Sequence, residues 1–219
     1  NPTESTAILV RSRGHLKQIV PALIEAQISW EAIDIDPLAN RMPVIDLMSL
    51  TRAILSPADR IAWLAILRAP FCGLSLRDLV ILTQANETSG KQPKCILDRL
   101  HEWQQVPNKF NQLSSEGHAI LGRVSPLICS TWKHRGTDNL RNLIEQLWID
   151  LGGPATLLNQ RDIHDIRNYF DLLETWQQAG TLKDWEEFSH AVDHLYAQPI
   201  AQSNNKQSNP IQIMTIHKA

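Results

Sequence analysis

The chain has few cysteines and no long apolar run, and both deficits exclude classes of protein. Its three cysteines are odd in number, far apart and without a CxxC spacing, so neither a disulfide framework nor a zinc ribbon is expected. No stretch approaches the roughly 18 continuous apolar residues that a membrane-spanning helix needs. The first residues also lack the charged-then-apolar pattern of a secretory signal. We therefore expect a reduced, cytoplasmic protein with no membrane partner.

The chain has few glycines and a small net charge, and its apolar residues recur at the spacing of helices. The chain has 9 glycines in 219 residues and a net charge of −2, so any nucleic-acid site must be local. The apolar spacing predicts helices at 15–26, 44–54, 57–67, 76–84, 94–104, 139–151, 163–178 and 182–195. Ser56 is the expected cap of the helix that starts at Pro57.

Both ends of the chain are strand-like. Residues 6–10 and 211–216 are short apolar runs rich in β-branched residues, which is typical of buried strands. This order predicts a mainly α protein, in which a helical domain interrupts an α/β domain that both ends of the chain build. The predicted domains are 1–39 for the first part of the interrupted domain, 40–207 for the helical insertion and 208–219 for the return strand.

Charge is divided between two parts of the sequence. Residues 52–141 hold 12 Lys and Arg against 7 Asp and Glu, a local charge of +5, and residues 142–197 hold 3 against 10, a local charge of −7. A phosphate backbone would favour the first part and be repelled by the second. The alternative is a pair of solvated helical faces of opposite sign.

The two ends resemble segments of a helicase family. Residues 7–13 (AILVRSR) and 213–219 (IMTIHKA) are similar to a strand of motor domain 2A and to motif V of UvrD/Rep/PcrA-like superfamily 1 DNA helicases. Residues 41–46 (RMPVID) resemble the passage from 2A into 2B, with proline at the place of the usual glutamate. Residues 69–75 (APFCGLS) resemble a DNA-contacting turn, with cysteine replacing its arginine and serine its last glycine. Residues 148–155 (WIDLGGPA) look like the RecB-type branch.

The resemblance implies both a fold and an activity. In this family an all-helical domain, 2B, is inserted into the RecA-like motor domain 2A. The chain would then be a fragment of an ATP-dependent 3′-to-5′ DNA helicase or helicase–exonuclease of repair and recombination. ATP and Mg²⁺ would bind elsewhere in the parent protein, because no GxxxxGK[ST] phosphate loop occurs in this sequence. We expect the fragment alone to have no catalytic residues, no cofactor and no ATPase activity.

By the same resemblance, two groups of residues contact DNA. The first group would hold the phosphates of a single strand: Arg11, Arg13, Thr215 and His217. Arginine offers a planar fork of donors that suits phosphate, and a hydroxyl or imidazole can bind phosphate without reading a base. The second group would bind phosphate at the start of a helix: Gly73, Leu74, Ser75 and Arg77. An ordinary N-cap explains Ser75 equally well, and we slightly prefer it.

The expected partners are single-stranded and forked DNA, together with other subunits of a helicase–nuclease. A second hypothesis is a helical protein-interaction scaffold without DNA contact, because the segment of charge −7 is poorly suited to DNA. A repeat protein is disfavoured, since no self-similar period of roughly 33–47 residues occurs. We expect no metal site: His190 and His194 lack the glutamate of an HExxH motif, and we interpret Asp162, His164 and Asp165 as helix-surface charge.

Overall fold

The computed structural model describes residues 6–11, 15–26, 28, 30–32, 37–84, 94–136, 139–178, 185–195 and 211–215. Over these ranges the chain is mainly helical. The helices are α1 (Leu16–Glu25), α2 (Met42–Leu55), α3 (Arg60–Arg68), α4 (Leu76–Gln84), α5 (Ile96–Gln105), α6 (Ser115–His134), α7 (Leu140–Asp150), α8 (Gln160–Gln178) and α9 (Trp185–His194). The strands are β1 (Ala7–Val10), β2 (Trp30–Ala32) and β3 (Ile211–Thr215). None of the described helices has the length and apolar character to cross a membrane.

The chain divides into two compact units. Residues 1–40 and 189–219 form the first, which we call the terminal unit. Residues Arg41–Phe188 form the second, which we call the helical unit. The terminal unit therefore combines residues from both ends of the sequence.

The terminal unit contains a three-stranded sheet in which β3 lies between β1 and β2 and is parallel to both. Ile8 pairs in register with Ile213. One face packs against α1 through Val10, Leu23 and Ile213, which are all buried. On the other face Leu9 is 51% exposed, so the apolar run predicts the strand correctly but only alternate residues of it are buried.

The helical unit is organised around large buried aromatic side chains. Trp63 of α3 and Tyr169 of α8 are fully buried. The Tyr169 hydroxyl lies 2.7 Å from the Thr51 hydroxyl of α2, and burial raises the pKa of Tyr169 well above its ordinary value. The indole N–H of Trp63 donates to the Ser56 carbonyl over 3.1 Å. The polar atoms of both rings are thus paired inside the core, as burial requires.

The start of α3 differs from the prediction. Ser56 is not its cap: it ends α2, and its N–H donates to the Arg52 carbonyl. Asp59 is the N-cap, because its carboxylate accepts from the Ala62 N–H over 3.0 Å and also pairs with the Arg52 guanidinium. A carboxylate with two partners is a stronger cap than the serine three residues earlier.

The interpretation of Asp162 and Asp165 as helix-surface charge is wrong. Asp162 is 5% exposed and Asp165 is 0% exposed, and both lie near the start of α8. Arg41 donates from Nε to Asp165 over 3.0 Å and from a terminal nitrogen to Asp162 over 3.1 Å. Burial raises the pKa of Asp165, although its hydrogen bond with Arg41 acts in the opposite direction. The two carboxylates join the starts of α2 and α8 instead of facing solvent.

Candidate nucleic-acid interface

The carboxyl end of the sheet brings together two of the residues predicted to contact DNA. Val10 pairs in register with Thr215, and both are the last residues of their strands. Arg11 follows Val10 and is exposed. Because β1 and β3 are parallel, Arg11 and Thr215 lie at the same edge of the sheet. This edge is where ligands bind in parallel α/β sheets.

The other two members of this group cannot be compared with the structure. Arg13 and His217 lie outside the described residues. Each is two residues from a member that is described, Arg11 and Thr215. The DNA contacts of all four residues remain predictions.

The second predicted group spans the turn between α3 and α4 and the first turn of α4, and the N–H groups of Gly73 and Leu74 already donate to the carbonyls of Ala69 and Leu67. Gly73 has a φ of +80°, a conformation that favours glycine. The Leu74 side chain is fully buried, and its carbonyl accepts from Arg68 over 3.2 Å. Arg123 donates to the carbonyls of Phe71 and Cys72. The turn is therefore held by two arginines, and Leu74 exposes no side chain to a ligand.

Cys72, which stands where the resembling turn has arginine, is buried. Burial raises the pKa of its thiol to about 12, although the nearby Arg123 opposes this. The thiol is therefore neutral at physiological pH and offers no positive charge to a phosphate.

Ser75 is the N-cap of α4, as the cap interpretation predicts. Its hydroxyl accepts from the Asp78 N–H over 3.1 Å and donates to the Asp78 carboxylate over 2.7 Å. Both partners belong to Asp78, so the Ser75 hydroxyl is already hydrogen-bonded within the protein. Arg77, by contrast, is exposed on α4.

The central carboxylate of this region, Asp78, is not among the predicted site residues. The residue is 2% exposed and accepts from the Ser114 N–H and hydroxyl, each over 2.8 Å. Ser114 is itself the N-cap of α6, where it accepts from the Gly117 N–H. Burial raises the pKa of Asp78, but the hydrogen bonds from Ser114 and Ser75 outweigh it and the pKa lies below its ordinary value. One carboxylate therefore joins the starts of α4 and α6.

Three cations of the basic segment are paired with one carboxylate, Glu102. The Nζ atoms of Lys109 and Lys94 lie 2.9 and 3.1 Å from its oxygens, and an Arg99 nitrogen lies 3.3 Å away. Hydrogen bonds from Lys109 and Lys94 lower the pKa of Glu102 to about 2. Glu102 thus holds three of the cations that this segment could offer to a phosphate backbone, although its own charge is already counted in the local charge of +5.

We expect Glu102→Gln to lower the free energy of unfolding by about 1 kcal/mol near pH 7, because three cations lose their anion close to solvent. The pKa of Glu102 is lower in the folded chain than in the unfolded chain, where it is near 4.3. This stabilisation is therefore present at neutral pH and is lost as the pH falls below about 4. Denaturant unfolding of the unchanged chain and of Glu102→Gln, each at about pH 3 and about pH 7, measures this stabilisation. A difference that stays the same near pH 3 and pH 7 would contradict the ion-pair explanation.

The two histidines considered as metal ligands, His190 and His194, lie on the same helix, α9. His190 lies on α9 with its ring 3.9 Å from Asp193, and both side chains are exposed. Across the described ranges, no group of three His, Cys, Asp or Glu side chains is arranged to hold a metal ion.

No protein-family model matches this chain, and no curated protein sequence matches it significantly. The resemblance to the helicases thus depends on the short motifs themselves and on the arrangement of the elements that carry them.

Proposed function

We propose that this chain is part of an ATP-dependent DNA helicase or helicase–nuclease of the UvrD/RecB type. In this proposal the terminal unit belongs to a RecA-like motor domain 2A, and the helical unit is an inserted 2B domain. The observation that carries the proposal is the parallel, in-register pairing of β1 with β3. These strands come from opposite ends of the sequence, and they contain the start of each of the two motifs most similar to the family.

Arg11 and Thr215 are the residues to which we assign a single-strand contact. The strand fixes the backbone position of the arginine that follows it. The planar guanidinium of this arginine can donate two hydrogen bonds to the oxygens of one phosphate. Such contacts use the backbone of DNA and not its bases, which a motor that moves along any sequence requires. Arg13 and His217 would extend the same contact.

The nucleotide site is not assigned to this chain. The sequence has no GxxxxGK[ST] loop, whose backbone N–H groups and lysine would hold the phosphates of ATP. ATP and Mg²⁺ therefore belong to the rest of the parent protein in this proposal, as do unwinding and movement in the 3′-to-5′ direction.

The test is single-strand binding by the Arg11→Ala variant of this chain. Removing one phosphate contact should weaken binding of a labelled oligothymidine about tenfold or more, since a hydrogen bond to a charged group, worth about 1.5–3 kcal/mol, is lost. It should also reduce the slope of log affinity against log salt concentration by about 0.7. Fluorescence anisotropy over a salt series measures both quantities.

Arg167→Ala is the matched control, because Arg167 is also an exposed arginine but lies on α8 in the segment of negative charge. Its affinity and salt slope should equal those of the unchanged chain. Equal effects of the two variants, or no single-strand binding by the unchanged chain, would contradict the role assigned to Arg11.

A second candidate function is a protein-interaction scaffold. The observation that favours it is an exposed apolar pair on α4, where Leu76 and Val80 are 67% and 48% exposed. An exposed helix of a protein without partners usually carries polar residues on that face.

A further inference from the structure

A groove of about 730 Å³ lies along α4 in the helical unit. Six residues line it: Leu76, Arg77, Val80, Ile81, Asn111 and Gln112. The first four belong to α4, and the last two follow a short 3-10 turn that ends at Phe110. The buried Phe110 anchors that turn, so both walls of the groove rest on the core of the helical unit.

The α4 wall is an apolar stripe. Leu76 and Val80 are four residues apart, which places them next to each other on one face of the helix, and the partly buried Ile81 borders this face. A single exposed apolar residue is ordinary on a protein surface. Two large side chains, each about half exposed or more and lining one groove, form instead an apolar surface that a partner can cover.

The groove has one charged residue, Arg77, and it is a cation. Asn111 and Gln112 add neutral amides that can both donate and accept hydrogen bonds. No acidic side chain is among the lining residues. The neighbouring Asp78 is buried and bound to the two capping serines. Asp78 attracts Arg77 electrostatically, but Arg77 is exposed and Asp78 is buried, so a carboxylate of the occupant can still pair with Arg77 at the surface of the groove.

We propose that this groove binds an apolar segment of a partner protein that places an Asp or Glu side chain against Arg77. The apolar side chains of the segment cover Leu76 and Val80, and the amides of Asn111 and Gln112 bond to polar groups along it. DNA fits this groove poorly, because a single cation neutralises little phosphate charge and no aromatic ring is present to stack on a base. This inference deepens the scaffold function and is independent of the contact assigned to Arg11.

The probe is a synthetic helical peptide of about three turns. Its Leu residues recur at alternating intervals of three and four positions and form one face of the helix, and Glu residues flank that face. A matched peptide carries Lys in place of Glu. We expect the Leu/Glu peptide to bind the 219-residue chain and to shift the methyl resonances of Leu76, Val80 and Ile81. The Leu/Lys peptide should bind at least about tenfold more weakly, and Arg77→Glu should reverse this order.

The apolar contribution is tested by the double variant Leu76→Ser, Val80→Ser. It should lose at least about tenfold in affinity for the Leu/Glu peptide. Ile61→Ser is the control, since Ile61 is 75% exposed on α3 and does not line the groove. Exposed positions are chosen so that each variant keeps its core, which thermal unfolding verifies.

Four outcomes would overturn the proposal. They are no binding of the Leu/Glu peptide, equal binding by the double variant, unchanged peptide preference in Arg77→Glu, and displacement of the peptide by a DNA duplex. A homodimer that the double variant dissociates would also overturn it, because a second copy would then occupy the groove. Arg11→Ala should leave peptide binding unchanged, so the failure of this inference and of the DNA proposal can be told apart.

Discussion

Asp78→Ala should lower the free energy of unfolding by about 3 kcal/mol, because it removes a buried carboxylate that accepts three hydrogen bonds. The two hydroxyls of Ser75 and Ser114 and the Ser114 N–H would lose their partner at the junction of α4 and α6. Denaturant unfolding, followed by the helical signal in circular dichroism, measures the loss.

Glu116→Ala is the matched control for this carboxylate. Glu116 lies in the first turn of α6, beside the same junction, but it is exposed. Its loss should cost only about 0.5 kcal/mol, the usual effect of a charge near a helix start. Equal costs for the two variants would show that the Asp78 hydrogen bonds do not stabilise the junction.

The contribution of Asp78 to the free energy of unfolding should also decrease as the pH falls. Its pKa is lower in the folded chain than in the unfolded chain, where it is about 3.9. The stabilisation is therefore complete above that value and is lost as the pH falls below it. The difference between the unchanged chain and Asp78→Ala should shrink at acid pH.

Gly153→Ala should lower the free energy of unfolding by about 2–3 kcal/mol, because there is no room for a β-carbon. A Cβ at this position would overlap the indole ring of Trp148. Trp148 is 7% exposed, and its ring centre lies 6.2 Å from that of Phe170. The indole would have to move within a packed core, and the near-ultraviolet circular dichroism of the variant should change with its stability.

Gly122→Ala provides the comparison for Gly153. A Cβ on Gly122 would meet only Trp103, at an ordinary distance of 3.8 Å. Because Gly122 lies within α6, alanine should instead stabilise the chain by up to about 1 kcal/mol. If both substitutions changed stability in the same direction and by the same amount, the overlap at Trp148 would not be the cause.

The Gly152–Gly153 pair shows how a motif can have a structural explanation. Gly152 has a φ of +87°, which favours glycine where the chain leaves α7. Gly153 is required by the approach to Trp148. Both glycines in the segment that resembles the RecB-type branch thus have local structural roles, so this segment gives no evidence for a DNA contact.

The sequence pattern predicts elements whose signal is local and strong. The strands β1 and β3 and the helices α2, α4, α7 and α8 lie close to their expected positions. The strand β2 was not predicted, because three residues are too few to establish a period. The helix α6 was not predicted either, since Gly117, Gly122 and Pro126 interrupt a helical pattern that tertiary packing sustains.

The polar junctions lay beyond prediction because their partners are distant in the chain. Asp78 and Ser114 are separated by 36 positions, and Arg41 and Asp165 by 124. A local signal existed for Asp78, since Ser75 and Asp78 have the spacing of a capping box. Nothing local indicates that Asp162 and Asp165 would be covered by Arg41. Long-range ion pairs depend on how helices meet, which a helical period does not specify.

The most direct test of the central claim is a nuclear Overhauser measurement on the isotope-labelled 219-residue chain. We expect cross-strand contacts between backbone protons of residues 8–10 and 213–215, in the pattern of parallel strands and in the register that pairs Ile8 with Ile213. Absence of these contacts, or the close Hα–Hα contacts of antiparallel strands, would contradict a sheet shared by the two ends of the chain and remove the basis of the motor-domain proposal.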